Sequence, residues 1–208
     1  MNADGVQFIE LDSSKLKIIA ASVNGTNATF KVAESYKALG NKLTICVAEG
    51  LQKKDMAIEL IIEYVASVES SAMQWLDANS TKGGKHPYLF TQCQAIHARA
   101  MFPCQDTPGV KVPYSAVVHA PEWATVLMSA LSDPSIIPAK LQGKKGVHGW
   151  NQPMPTSAYL VALAAGNLVK ADISDRVCVW SEPEMIDAVA FEFSETEEFL
   201  KAAESLTC

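Results

Sequence analysis

The sequence predicts a mostly β, antiparallel, sandwich-like domain that ends in a short helical segment. Three observations carry that expectation. Lys42 to Ala48 alternates, with Leu43, Ile45 and Val47 on one side and Lys42, Thr44 and Cys46 on the other, the period of a half-buried strand. Asn24-Gly25 separates two β-prone runs, and both residues tolerate the positive φ of a tight hairpin turn. The last third changes period, with apolar residues spaced as on helices.

Taken in order, Gln7 to Leu11 and Leu16 to Val23 read as strands, and Ala28 to Val32 as the strand returning from the Asn24-Gly25 turn. Ile58, Leu60, Ile62 and Tyr64 share one face of a further strand, with Glu59 and Glu63 opposite, so that face meets solvent. Ser67 to Lys85 is rich in serine, asparagine, glycine and lysine and reads as a long connection with a weakly signalled helix around Trp75 and Leu76. Val110, Val112, Tyr114 and Ala116 alternate, and Trp123 to Leu131 is again β-prone. Asp133 to Gly146 carries Pro134, Pro138 and Gly143 and reads as a loop. Tyr159 to Ala165 is apolar throughout, the pattern of a strand buried on both faces. After Val177 to Trp180, Ser181 with Glu184 and Ser194 with Glu197 have capping-box spacing and predict two helix starts. Ile186, Val189, Ala190 and Phe193 form one apolar stripe; Phe199, Ala202, Ala203 and Leu206 form a second.

Composition bounds the function classes. The 208 residues are 49% hydrophobic and 19% charged, which describes a folded domain with a full core. A net charge of −6 without a basic stripe argues against nucleic acid and anionic membranes as partners. No apolar run approaches a membrane span, and the first residues lack a signal-peptide pattern. Five cysteines without metal-type pairing fit reduced thiols in the cytoplasm. On that reading the glycosylation patterns at Asn24, Asn27 and Asn79 are chance matches.

The stretch from His86 to Pro108 concentrates two glutamines, two cysteines, two histidines, an arginine and an aspartate among apolar residues. Polar groups in such a setting either find partners in the fold or bind something that arrives later. Tyr88-Leu89-Phe90, Gln92-Cys93-Gln94-Ala95-Ile96-His97, Arg99 and Pro103-Cys104-Gln105-Asp106-Thr107-Pro108 resemble the N-terminal domain of the zinc aminopeptidases of the M1 family, in the branch of leukotriene-A4 hydrolase and aminopeptidase B. Ser71-Ala72-Met73-Gln74-Trp75-Leu76 upstream, and Val179-Trp180-Ser181-Glu182 with Phe191-Glu192-Phe193-Ser194-Glu195-Thr196-Glu197 downstream, extend the resemblance over most of the chain. It implies a saddle of curved antiparallel sheets over residues 1–180, without the family's first strands. Residues 181–208 would then be a helical linker, the start of a catalytic domain that this chain does not carry.

The resemblance also implies what is absent. A zinc aminopeptidase needs two histidines one helical turn apart, a further carboxylate ligand and a glutamate to activate the bound water. His86, His97, His119 and His148 form no such pair, and the family's glycine-methionine-glutamate-asparagine run is missing. No catalytic residue, metal ligand or cofactor is therefore expected in this chain, and zinc belongs to the catalytic domain. The expected contribution faces substrate. In the family, the glutamine matching Gln94 accepts a hydrogen bond from the substrate's α-ammonium group, the alanine matching Ala95 leaves room for the first side chain, and Gln92 resembles a polar wall residue.

The alternative role for Gln94 is to serve buried backbone groups. His97 and Arg99, which would share a face on a strand, read as scaffold, with Arg99 able to pair with Asp106 across the Asp-Thr-Pro turn. A nucleophile made of Cys93 or Cys104 with His97 lacks an orienting third group, and the same residues lack a fourth metal ligand. Trp75, Trp123, Trp150 and Trp180 read as core or interface aromatics. Two functions follow. One is the substrate-recognition domain of a leukotriene-A4-hydrolase-like aminopeptidase, whose partners are a peptide substrate and a catalytic domain in cis or in trans. The other is a free-standing, non-catalytic binding module that covers the same docking surface by self-association.

Overall fold

A computed structural model describes residues 5–207. Two compact units divide the chain: Met1–Gln74, Thr91–Tyr114 and Pro153–Ala162 form the first, and Trp75–Phe90, Ser115–Gln152 and Leu163–Cys208 the second.

In the first unit, β1 (Phe8–Ser13), β2 (Leu16–Val23), β3 (Thr26–Asn27), β4 (Phe30–Val32), β5 (Asn41–Cys46) and β6 (Leu60–Ala66) build two antiparallel sheets, ordered β1-β5-β4 and β3-β2-β6. Alternation places the core as expected. Leu43 and Ile45 of β5 are fully buried, clustered with Ala21 and Val23 of β2 and flanked by Leu60 and Ile62. Asn24 and Gly25 take φ of 48° and 76°, and the Asn24 side chain also accepts the Glu59 N–H at 2.7 Å. The expected returning strand over 28–32 is corrected. Only Thr26–Asn27 completes the hairpin with β2, whereas Phe30–Val32 leaves it to pair with β5 in the other sheet. Phe30 thereby reaches the core from a second side.

The sequence from 67 to 85 holds a strand, β7 (Met73–Leu76), where a weak helix was expected; the only helical turn there is the single 3-10 turn Ala78–Ser80, capped by Asp77. Then come β8 (Tyr88–Thr91), β9 (Lys111–His119), β10 (Thr125–Met128), β11 (Leu131–Ser132), β12 (Val147–Ser157), β13 (Leu163–Gly166), β14 (Val169–Asp172) and β15 (Cys178–Ser181). They form sheets ordered β10-β13-β8-β7 and β11-β12-β9 and the hairpin β14-β15. The doubly buried strand expected over 159–165 is also corrected. Ala158–Leu160 is a 3-10 turn with Leu160 51% exposed, and only Leu163–Gly166 is strand.

Two helices close the second unit, α1 (Ile186–Glu192) and α2 (Thr196–Thr207), but neither starts with the expected capping box. The carboxylates are engaged elsewhere. Glu182 accepts the backbone N–H groups of Lys82 and Gly83 at 2.9 and 3.3 Å, and Glu184 lies beside Gly83. Glu197 and Glu204, seven residues apart on one face of α2, both grip Arg176 in the β14-β15 turn, and Ser174 donates to Glu197 at 2.8 Å. The guanidinium holds both carboxyls below their ordinary range, and these bonds tie α2 down. Its apolar stripe stays open: Phe199 is 67% and Leu206 84% exposed.

Candidate functional site

Immediately after β8 the backbone leaves the extended conformation, because Cys93 is drawn into a small buried cluster with Ala72, Ala98 and Ala100. Three alanines leave space for the backbone to pass closely. His97 N–H donates to the Cys93 carbonyl at 2.8 Å, and a 3-10 turn over Ala98–Ala100 follows. His97 and Arg99 therefore do not share a strand face: His97 is half-buried beside an outward turn, while Arg99 is 5% exposed.

Anchoring Cys93 pushes its neighbours outward, so Gln92, Gln94 and Ala95 are all exposed, and the Gln94–Ala95 peptide is cis. The three residues come together in one tight turn, with distinct parts. The Gln92 side-chain oxygen accepts the Gln94 N–H at 3.0 Å, which fixes the turn from within. Gln94's own amide makes no hydrogen bond among the described residues.

Ser70, Ser71 and Ala72, whose part the sequence did not disclose, brace this turn from behind. The Ala72 carbonyl accepts the Gln92 N–H at 2.8 Å, the Ser70 hydroxyl donates to the Ala100 carbonyl at 2.7 Å, and the Ser71 hydroxyl meets His97 Nδ1 at 2.8 Å. Three consecutive residues thus hold the start, middle and end of the segment 92–100. Their only sequence signal was the family-like segment Ser71-Ala72-Met73-Gln74-Trp75-Leu76, which contains Ser71 and Ala72 and follows Ser70.

Below the turn lies an ion pair that the sequence did suggest. Arg99 Nε donates to Asp106 Oδ2 at 3.0 Å, with side-chain exposures of 6% and 2%. The other two nitrogens also have partners: Arg99 Nη1 reaches the Leu39 carbonyl at 2.7 Å and Asp12 Oδ1 at 3.4 Å, and Nη2 the Asp106 carbonyl at 3.2 Å. Asp12 in turn accepts the Asp106 N–H at 3.0 Å. A buried charge pair satisfied this fully is a scaffold device.

Burial pushes the thiol of Cys93 up to about 11 and that of Cys104 up to about 12, with the Asp106 carboxylate adding to both. At pH 8 the thiolate fractions are then about one in a thousand and one in ten thousand, so neither sulfur is a ready nucleophile. A thiol whose folded pKa is raised stabilises the fold below its ordinary value near 9 and loses that contribution as pH climbs toward 11 and 12. We expect a maleimide or disulfide reagent at pH 8 to modify exposed Cys178 well before Cys93 or Cys104, with those two reacting only on unfolding; mass mapping of native protein checks this. Early labelling of Cys93 would contradict it.

Among the described residues no three His, Cys, Asp or Glu side chains gather as a metal site, so the residues present do not fit zinc. Three of the tryptophans are surface rather than core residues: Trp75 is 54%, Trp123 36% and Trp180 37% exposed. Among the described residues no helix is long and apolar enough to cross a membrane.

Residues 2–160, which include the whole of this site, match the family model described as the peptidase M1 N-terminal domain. The chain belongs to this family. The M1 domain is 38% identical over 204 residues to leukotriene A-4 hydrolase of Xenopus laevis, covering 98% of this chain and 33% of that protein. It is 41% identical over 207 residues to leucine aminopeptidase 2-1 of Meyerozyma guilliermondii, covering 99% and 31%. Native leukotriene A-4 hydrolase of yeast superposes with a TM-score of 0.84 at 31% identity, over 99% of this chain and 30% of that one. An M1 zinc metallopeptidase of Deinococcus radiodurans, 16% identical, shares the fold with a TM-score of 0.59. The M1 domain thus spans about a third of the length of the curated relatives it matches.

Proposed function

We propose that this M1 domain supplies a substrate-facing surface for an aminopeptidase related to leukotriene A-4 hydrolase, while zinc and the catalytic groups come from a domain outside residues 1–208. The ligand class is the free amino end of a peptide, and the family resemblance extends the proposal to epoxide hydrolysis by a full-length enzyme. The observation that carries this reading is the outward Gln92–Ala95 turn, whose Gln94 amide has no partner among the described residues although the turn that carries it is braced at three points. An amide suits an α-ammonium group because its oxygen accepts a hydrogen bond without changing charge with pH. Ala95, small and exposed, leaves room for the first side chain of the peptide. Gln92 serves by holding Gln94 in place.

In this reading residues 1–180 are the β domain, and 181–208 lead toward the catalytic domain. The exposed aromatics Phe191, Phe193 and Phe199 are where that domain docks. The cytoplasm is the proposed compartment, in line with cysteines that stay unpaired in the described residues. The same open surface favours one rival, a non-catalytic module that buries these aromatics by self-association.

An aminopeptidase assay on the purified chain, using a fluorogenic amino-acid amide with added zinc, tests the reading beside a mass measurement in solution. We expect no turnover above background and no defined oligomer. A discrete inactive oligomer would favour the rival, and chelator-sensitive turnover intrinsic to the chain would overturn both.

A further inference from the structure

In the second unit, a cavity of about 210 Å³ opens between the 80–82 loop and the end of β15. Its walls include the side chains of Thr81, Tyr88, Leu168, Trp180, Ser181 and Glu182. The arrangement has an evident charge preference. Glu182 is the only charged residue among those lining the cavity. It is also fixed in place: each of its oxygens accepts one backbone N–H, from Lys82 and from Gly83, and each retains capacity for a second bond.

Two aromatic rings complete the walls. Tyr88 is half-buried and packs so closely on Gly166 that a Cβ there would lie 2.6 Å from its ring, so this wall has little freedom to move. Tyr88 and Glu182 line the same cavity, and burial, with the Glu182 charge adding, pushes the Tyr88 phenol above its ordinary value. Trp180 offers the larger aromatic surface and is 37% exposed. The faces of such rings are negative, so they attract cations, and a carboxylate at the same place adds to that attraction while repelling anions.

The geometry points to a binding site for the cationic end of an alkyl chain, a guanidinium or ammonium group with its methylene stem, as carried by an arginine or lysine side chain of a partner peptide. The volume suits one such side chain and not a folded segment. Glu182 takes the charge, Trp180 and Tyr88 line the stem and Leu168 supplies apolar contact. The site needs neither the Gln94 turn nor a catalytic domain, so it stands or falls independently of the function proposed above.

Titration of the isotope-labelled chain with N-acetyl-arginine methylamide, followed by amide chemical shifts, tests this directly. N-acetyl-norleucine methylamide serves as the uncharged control and butylguanidinium as the stem without a peptide backbone. A partly exposed ion pair with aromatic walls gives an affinity on the order of 1–10 mM. We expect saturable shifts confined to residues 80–84, 88 and 180–182, shared by butylguanidinium, absent with norleucine and weakened by salt. If the blocked arginine binds more tightly than butylguanidinium, the partner is a peptide; if the two are equal, the site reads any alkyl cation.

Glu182→Gln should weaken binding at least about fivefold. Because this change also touches the loop bonds, Trp180→Leu provides a second variant that leaves them intact and should weaken binding about two- to fivefold. Equal binding of the norleucine analogue, shifts scattered over the chain, or affinity unchanged in both variants would each overturn the proposal.

Discussion

Arg99→Ala is expected to lower the unfolding free energy by about 3–5 kcal/mol, because it leaves the 2%-exposed Asp106 carboxylate without its counter-charge. The guanidinium also bonds the Leu39 and Asp106 carbonyls, and its loss leaves both acceptors short of a donor. Denaturant unfolding followed by tryptophan fluorescence measures the change. Removing both charges with Arg99→Met and Asp106→Leu should recover a large part of it, since no buried charge is then orphaned. A single-variant loss below about 1 kcal/mol would show that water reaches the pair and that the network is not the scaffold described above.

Leu43→Ala carries the second large effect, a destabilisation of about 2–5 kcal/mol. Leu43 has no exposed surface and sits on β5, the central strand of its sheet, between β1 and β4. Backbone hydrogen bonds to strands on both sides prevent that position from collapsing around the lost atoms, which puts the cost toward the upper end. Val65→Ala on β6, where the side chain is 53% exposed, is the control and should change stability by less than about 0.5 kcal/mol. Similar losses at the two positions would contradict the assignment of the core face.

The elements that could be read beforehand are those whose signal is local. The alternation of Lys42 to Ala48, the Asn24-Gly25 turn and the shared face of Leu60 and Ile62 each depend on residues within one strand or turn, and all reappear in the structure. The pairing of Arg99 with Asp106 was legible because only seven residues separate them. What escaped the sequence depends on partners far along the chain. The eleven-residue strand β12 contains Pro153 and Pro155, which mask it. Both prolines lie past the end of the β11 ladder, which pairs only with Trp150 and Asn151, so neither removes a hydrogen bond to β11.

The failed capping boxes have the same origin. Glu197 meets an arginine twenty-one residues away, and the Glu184 carboxylate lies beside Gly83 in a distant loop, so neither reaches back to its own helix start. At the candidate site the family motif picked out Gln92, Gln94 and Ala95, yet nothing in the sequence separated the residue that fixes the turn from the residue left free to bind. Nor did it show Ser70 to Ala72 as the brace, because two serines and an alanine carry no periodic signal.

The most direct test of the central claim joins this chain to the remaining two thirds of a relative such as Xenopus laevis leukotriene A-4 hydrolase and compares Gln94 with Gln94→Ala. The account predicts an active hybrid in which Gln94→Ala lowers kcat/KM on amino-acid amides by about 10- to 100-fold, the worth of one hydrogen bond to a charged group. The same substitution in the chain alone should leave the unfolding midpoint unchanged. Full activity of the Gln94→Ala hybrid, or a large stability loss in the isolated chain, would contradict the assignment of the Gln94 turn to substrate.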